Sequence, residues 1–142
     1  MVVDWLIYLH KRLRMAPETL FIAINVMDRF LGLRQVERSR IQLVGVTSML
    51  IASKYQEIDP PHVAEFVYFV GDAYEMAEVL ACEAVMFQVL EFNFTFPTCL
   101  SFLETYMQAI RVTDLPTEQY SKFLLDLSLT DLSLQRFKPS TR

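Results

Sequence analysis

The 142-residue sequence predicts an all-α protein, built as a five-helix bundle followed by the start of a second bundle. Its apolar residues recur at intervals of three and four, the spacing of one face of a helix rather than of a strand. Proline is tolerated in the first turn of a helix but not in its interior. The boundaries between the periodic segments are accordingly marked by Pro17, Pro60, Pro61, Pro97 and Pro116.

The first three helices are predicted over residues 2–14, 17–31 and 36–55. The first carries one apolar stripe and basic residues near its end, where they complement the helix dipole. Gly32 is expected to end the second helix. The third is apolar on every side from Ile41 to Ala52. In a globular protein this pattern predicts a helix that is surrounded by other helices.

Four further helices are predicted over residues 61–70, 74–90, 98–111 and 116–135. The intervening segment EFNFTFPT alternates apolar and polar residues, as a strand would, but its proline favours an extended connection packed by its phenylalanines. We therefore expect a first domain at residues 1–96 and a partial second domain at 97–142.

The charge distribution, the uncharged runs and the cysteines predict the compartment of the protein and exclude some classes of partner. A net charge of −4, from 17 acidic and 13 basic residues, offers no basic field for nucleic acid. The longest uncharged runs, residues 41–53 and 92–103, are shorter than the roughly 20 residues that span a bilayer, and no secretory signal is expected. Cys82 and Cys99 fit reduced, packed thiols. We expect a nuclear or cytoplasmic protein with no membrane partner.

Catalytic and cofactor signatures are not found in the sequence. It contains no glycine-rich phosphate loop, HExxH, CxxC or GxSxG pattern, and no repeated Glu-x-x-His pair for a di-iron bundle. His10 and His62 are isolated, and each is better explained as a surface or helix-end residue than as a general base. A binding or regulatory protein without metal or cofactor is therefore favoured over an enzyme.

Glu83 is the residue whose position most needs an explanation. Val79 and Phe87 lie four residues to either side, which places the carboxylate on the apolar face of the fifth helix. A carboxylate there requires a cation or hydrogen bonds, or else the helix is rotated and Glu83 is exposed. Lys54, at the end of the third helix, could simply complement the helix dipole or could pair with Glu83. Such a pair beside apolar Tyr55, Phe87 and Phe92 would suit the docking of a partner helix.

Three segments of the sequence resemble the cyclin box of the mitotic A- and B-type cyclins. They are MVVDWLIYLHKRLRMAPETLFIAINVMDRFL, IQLVGVTSMLIASKYQEIDPP and VAEFVYFVGDAYEMAEVLACEAVMFQVLEFNFTFPT, and the resemblance covers residues 1 to about 110 in order. It implies a five-helix cyclin fold followed by the beginning of a second, incomplete cyclin fold.

The resemblance implies a regulatory subunit, not itself an enzyme, that binds and activates a cyclin-dependent serine/threonine kinase in cell-cycle control. Docking on the regulatory helix of the kinase would move the kinase's own catalytic glutamate into place. Lys54 and Glu83 match the lysine and glutamate that hold this helix in the family. The matching apolar contact positions are Tyr55, Phe87, Phe92 and Phe94.

The family also recruits substrates and inhibitors through a hydrophobic docking patch, which would bind docking-motif peptides. The matching residues are Met1, Val2, Trp5, Ile41 and Gln42, although core packing alone could explain a single tryptophan such as Trp5. Tyr8 and Arg12 stand where acidic residues of the family receive a basic motif, so a different peptide could be preferred.

Two further matched positions are structural. Leu43 matches a buried leucine, and Asp28 matches an aspartate whose arginine partner would precede Met1. Two rival hypotheses remain open. One is a cyclin-fold scaffold of the transcription-factor or pocket-protein type, which binds peptides without activating a kinase. The other, an unrecognised enzyme, would need to show turnover by the isolated chain.

Overall fold

The structure is a computed structural model that describes residues 2–131, 133–134 and 137–141, apart from the side chain of Asp72. These residues form seven α-helices, two single-turn 3₁₀ helices and no strand, which confirms the all-α prediction. The α-helices are α1 (Val2–Arg12), α2 (Pro17–Leu33), α3 (Ile41–Gln56), α4 (Val63–Phe69), α5 (Met76–Val89), α6 (Cys99–Ala109) and α7 (Leu115–Ser128). The 3₁₀ helices are Arg38–Arg40 and Gly71–Ala73.

The chain divides between Phe94 and Thr95 into two compact units. The division expected from the sequence lies two residues further on, between residues 96 and 97. The first unit contains α1 to α5, and the second contains α6 and α7.

Helix α3 forms the centre of the first unit. Every residue from Leu43 to Ser53 is buried, and α1, α2, α4 and α5 all pack against it, as its uniformly apolar sequence predicts. A Cβ atom at Gly45 would lie only 3.2 Å from Cγ1 of Val2, so this glycine permits α1 to approach α3 closely. The buried hydroxyl of Ser48 donates to the carbonyl oxygen of Val44 at 2.8 Å and needs no partner outside the helix.

Three predicted helix boundaries are wrong. Helix α2 continues through Gly32 to Leu33, because an exposed glycine weakens a helix by only about 1 kcal/mol when the apolar face continues beside it. Helix α3 begins at Ile41 rather than 36, after the 3₁₀ turn. Helix α7 ends at Ser128, whereas the sequence predicts helix to residue 135; residues 132 and 135 lie outside the described part of the chain.

The ends of three helices are joined through Ala16 and Glu57. Glu57 caps the C-terminus of α3, and its Oε1 accepts hydrogen bonds from the backbone N–H of Ala16, at 2.7 Å, and from the hydroxyl of Thr19. Ala16 is the N-cap of α2 and has no side chain that could cap that helix itself. The buried His10, near the end of α1, donates from Nε2 to the Ala16 carbonyl at 2.8 Å. The histidine is therefore at a helix end, but it is not a surface residue.

Replacing Glu57 by alanine is expected to lower the free energy of unfolding by about 1.5–3 kcal/mol, because hydrogen bonds to a charged group contribute that much. Thr19 is fully buried and would lose the acceptor of its hydroxyl proton. Urea denaturation followed by circular dichroism measures the loss. Glu37→Ala is the matched control, since that carboxylate is exposed. Equal stability of the two variants would contradict the proposed role of Glu57.

The second unit is a pair of packed helices. Thr98 caps α6 by accepting from the backbone N–H of Ser101 at 3.1 Å, and Asp114 caps α7 by accepting from the N–H of Thr117 at 3.0 Å. Hydrogen bonding from the Thr117 side chain, and then from its backbone N–H, lowers the pKa of the Asp114 carboxyl group. One face of α7 is apolar and about half exposed, and consists of Tyr120, Phe123, Leu124 and Leu127.

Candidate functional site

Lys54 and Glu83 form a two-pronged ion pair between α3 and α5. The lysine Nζ lies 2.7 Å from Oε1 and 2.8 Å from Oε2 of the glutamate. The Glu83 side chain is 10% exposed and the Lys54 side chain is 44% exposed. The carboxylate thus lies on the apolar face of α5 and is neutralised from the last turn of α3. The ion pair expected from the sequence is confirmed.

The geometry of the pair leaves part of its hydrogen-bonding capacity for a partner. An ammonium group has three protons, and two of them are used by Glu83. Because the Lys54 side chain is still 44% exposed, its remaining proton can reach a group outside the chain. Charge-assisted hydrogen bonds are about twice as strong as neutral ones, and a partner that excludes water would strengthen them further.

Three phenylalanines form a cluster that extends from the core to the surface of the first unit. The Phe87 ring stacks on Phe92 with centroids 5.2 Å apart and an angle of 8° between the planes. Phe94 meets Phe87 edge to face at 5.3 Å. Phe94 is buried, Phe87 is half-buried and Phe92 is 70% exposed. Phe94 therefore supports Phe87 from below, and Phe92 presents the apolar surface.

Phe92 is held outward by a turn that follows α5. Glu91 and Phe92 have φ angles of 52° and 55°, in the left-handed region, which costs a residue with a side chain roughly 1–2 kcal/mol. The Phe92 N–H bonds the Phe87 carbonyl at 3.1 Å. Arg29 of α2 donates to the Asn93 carbonyl at 2.7 Å and fixes the far side of the turn.

Two exposed residues follow the lysine at the end of α3. Tyr55 is 49% exposed, and Ile58 is fully exposed in the turn that precedes the two prolines. Ile58 is not among the site residues that the sequence predicts. Its position between acidic Glu57 and Asp59, in a turn that ends in prolines, is the sequence signal of its exposure, because such a turn lies at the surface.

The described residues of the expected docking patch lie on α1 and at the start of α3, two helices that pack against each other. Val2 contacts the backbone of α3 at Gly45. Trp5 on α1 and Ile41 and Gln42 at the start of α3 are half-buried, and Met1 lies outside the described residues. The structure therefore leaves part of the Trp5 side chain on α1 accessible to solvent.

The two residues predicted to be structural, Leu43 and Asp28, lie in the first unit. Leu43 is 4% exposed, and Asp28 is half-buried in α2 and is not left without a partner. Cys82 and Cys99 are not joined in a disulfide. Burial raises the pKa of the Cys82 thiol, which favours its protonated form.

Within the described residues, no group of three or more His, Cys, Asp or Glu residues could hold a metal ion, and no helix has the length and hydropathy to cross a membrane. A cavity of about 440 Å³ lies between α2, α3 and α5, with Leu43 and Cys82 in its lining. The Arg40–Glu78 ion pair, at 3.2 Å, lies at this cavity.

Comparison with known proteins connects this geometry to a family. Residues 1–95 match the family described as the N-terminal domain of cyclins, and residues 97–142 match the C-terminal domain of cyclins. The chain belongs to the cyclin family. Among its relatives is the G2/mitotic-specific cyclin cdc13 of Schizosaccharomyces pombe, 41% identical over 139 residues, which are 98% of this chain and 29% of the relative.

Other relatives of this cyclin chain are also A- and B-type cyclins. G2/mitotic-specific cyclin-A of Patella vulgata is 43% identical over 141 residues, 99% of this chain and 33% of the relative. Cyclin-A2 of Xenopus laevis is 43% identical over 140 residues, 98% of this chain and 34% of the relative. The chain thus spans about a third of the length of these relatives.

A solved structure shows the same fold. The X-ray structure of a viral cyclin from herpesvirus saimiri matches 97% of this chain and 62% of its own, with a TM-score of 0.87 and 19% sequence identity. The arrangement of helices is thus that of a cyclin fold.

Proposed function

We propose that this cyclin is a regulatory protein that binds and activates a cyclin-dependent serine/threonine kinase in the cell cycle. The observation that carries the proposal is the Lys54–Glu83 ion pair, which is partly exposed where α3 meets α5. The names of its relatives as G2/mitotic-specific cyclins support a role in cell division.

The chemistry of the site suits a helix of the kinase. The N-terminal end of a helix exposes backbone N–H groups, and the C-terminal end exposes carbonyl groups, that lack partners within the helix. Lys54 can donate to such a carbonyl, and Glu83 can accept from such an N–H. Phe92 and Tyr55 then cover the apolar side of the docked helix, in the manner of aromatic anchors at other interfaces. Catalysis stays in the kinase, and the cyclin contributes the position of the helix that carries the kinase's catalytic glutamate.

The proposal extends to recruitment and location. Docking-motif peptides of substrates or inhibitors would bind at Val2, Trp5, Ile41 and Gln42, where α1 borders α3. Cys82 and Cys99 are not joined in a disulfide, which suits a reducing compartment, the nucleus or the cytoplasm.

Titration of this chain into purified cyclin-dependent kinases tests the proposal. We expect at least one kinase to bind and to phosphorylate a model peptide faster when the chain is added. Circular dichroism establishes that the chain is helical under the assay conditions. A helical chain that binds none of the kinases would overturn the proposal and would favour a cyclin-fold scaffold that binds peptides only.

A further inference from the structure

The exposed surface that continues from Trp5 along α1 has a charge opposite to that of the chain as a whole. Tyr8 and Arg12 follow Trp5 at three and seven residues, which places all three along one side of the helix. Tyr8 is 54% exposed and Arg12 is exposed. We call Trp5, Tyr8, Lys11 and Arg12 the α1 surface.

The cations of this surface, and Arg14 just beyond it, are not used inside the protein. Lys11, Arg12 and Arg14 are all exposed, and within the described part of the chain none of them is held in an ion pair. Three of the 13 basic residues thus lie within four positions, in a chain whose net charge is −4. His10, the fourth basic side chain of this segment, is buried and engaged with the Ala16 carbonyl.

A helix dipole accounts for only part of this cluster. Lys11 and Arg12 lie in the last turn of α1, where cations are favourable. Arg14 lies beyond the helix in the left-handed conformation, with a φ of 53°. Glycine adopts that conformation without the steric cost that a side chain incurs. The sequence therefore carries a third cation at a position where the backbone favours glycine.

We propose that the α1 surface binds an acidic peptide segment, with an apolar side chain of the peptide at Trp5 and its carboxylates at Arg12 and Lys11. Charge complementarity selects this occupant. The backbone positions of Trp5 and Arg12 are about 10 Å apart along the helix, at 1.5 Å per residue. An extended peptide covers that distance in about three residues. The recognised pattern is an apolar residue followed by acidic residues three to four positions later.

This inference rests on the proposed docking patch and is independent of the proposed kinase contact. It predicts that peptide selection differs from the basic motif received by acidic residues in the family, because Tyr8 and Arg12 replace those acids. A basic peptide would meet repulsion from Arg12 and Lys11, whereas an acidic one would gain charge-assisted hydrogen bonds.

Trp5 is the single tryptophan of the chain and reports on this surface directly. The probes are two nine-residue peptides, each with one leucine followed after three residues by a pair of glutamates or a pair of lysines. Titration monitored by Trp5 fluorescence at 50 mM salt is expected to show at least about tenfold tighter binding of the glutamate peptide. The preference should shrink at 300 mM salt, where screening shortens the range of the attraction.

Arg12→Glu is expected to abolish the preference between the two peptides, because the new carboxylate offsets the charge of Lys11. Arg34→Glu is the matched control, since it makes the same charge change at an exposed position beyond α2 and should leave the preference unchanged. Equal binding of the two peptides by the unmutated chain, or an unaltered preference in Arg12→Glu, would overturn the proposal. So would a stronger Trp5 response to a single-stranded RNA or to phosphatidylserine vesicles than to the glutamate peptide.

These experiments can refute the kinase proposal and the peptide proposal independently of each other. Arg12→Glu should still activate the kinase, since Arg12 lies on α1 and the Lys54–Glu83 pair joins α3 to α5. Glu83→Ala should still prefer the glutamate peptide. Loss of both activities in either single variant would contradict the separation of the two surfaces.

Discussion

Glu83→Ala is expected to weaken binding of the activated kinase by at least about 30-fold, while the fold stays intact. Truncating one member of a buried, hydrogen-bonded charge pair at an interface costs about 2 kcal/mol or more, and this corresponds to that factor. In the Glu83→Ala complex, the docked kinase would bury the Lys54 ammonium group without the carboxylate that neutralises it. In the free chain Lys54 is 44% exposed, so water can replace the carboxylate, and the free energy of unfolding should fall by less than about 1 kcal/mol.

Further variants distinguish loss of the Lys54–Glu83 pair from a general effect of removing a charge. Arg40→Ala breaks the exposed ion pair between Arg40, the residue just before α3, and Glu78 of α5. Its Nη2 and Oε1 atoms are 3.2 Å apart. We expect this substitution to leave kinase activation unchanged. Lys54→Ala should resemble Glu83→Ala, and the double variant should lose less than the sum of the two single losses, because the residues act as a pair. Undiminished activation by folded Glu83→Ala would refute the assignment.

The ion pair could be predicted from the sequence because it violates the local pattern. A carboxylate between Val79 and Phe87 on an apolar helix face demands a cation, and Lys54 ends the neighbouring apolar helix. The core could be predicted for the opposite reason: α3 is buried at every position from Leu43 to Ser53, as its uncharged and mostly apolar sequence predicts. The end of α2 predicted at Gly32 is wrong, because the low helix propensity of glycine is a weak signal where the packing of the helix continues beyond it.

Contacts between residues distant in the sequence were beyond prediction. Glu57 accepts from groups 38 and 41 residues away, and nothing near it in the sequence identifies them. The left-handed turn at Glu91 and Phe92 was equally hidden, because neither residue is a glycine. Tertiary contacts hold this turn, among them the bond from Arg29, which lies 64 residues from Asn93. The outward position of Phe92 therefore emerges only from the folded chain.

Two substitutions of the same chemistry are expected to have opposite consequences. Phe66, on α4, is fully buried, whereas Phe92 is 70% exposed. Phe66→Ala should lower the free energy of unfolding by about 3–5 kcal/mol, the typical cost of removing a buried aromatic ring. The midpoint of thermal unfolding should fall by roughly 10 °C, since 1 kcal/mol corresponds to about 2–4 °C in a chain of this size.

Phe92→Ala should leave the fold nearly unchanged and impair the kinase interface instead. Its ring stacks on Phe87, and such a pair contributes no more than about 1.5 kcal/mol to stability. Alanine retains a Cβ atom, so the cost of the left-handed φ of 55° is the same before and after the change. At an interface, an exposed aromatic anchor contributes about 2 kcal/mol, which predicts roughly 30-fold weaker kinase binding. Thermal unfolding and kinase titration of both variants decide the matter. If Phe92→Ala destabilises the chain as much as Phe66→Ala does, Phe92 belongs to the core, and the surface assigned to the kinase is wrong.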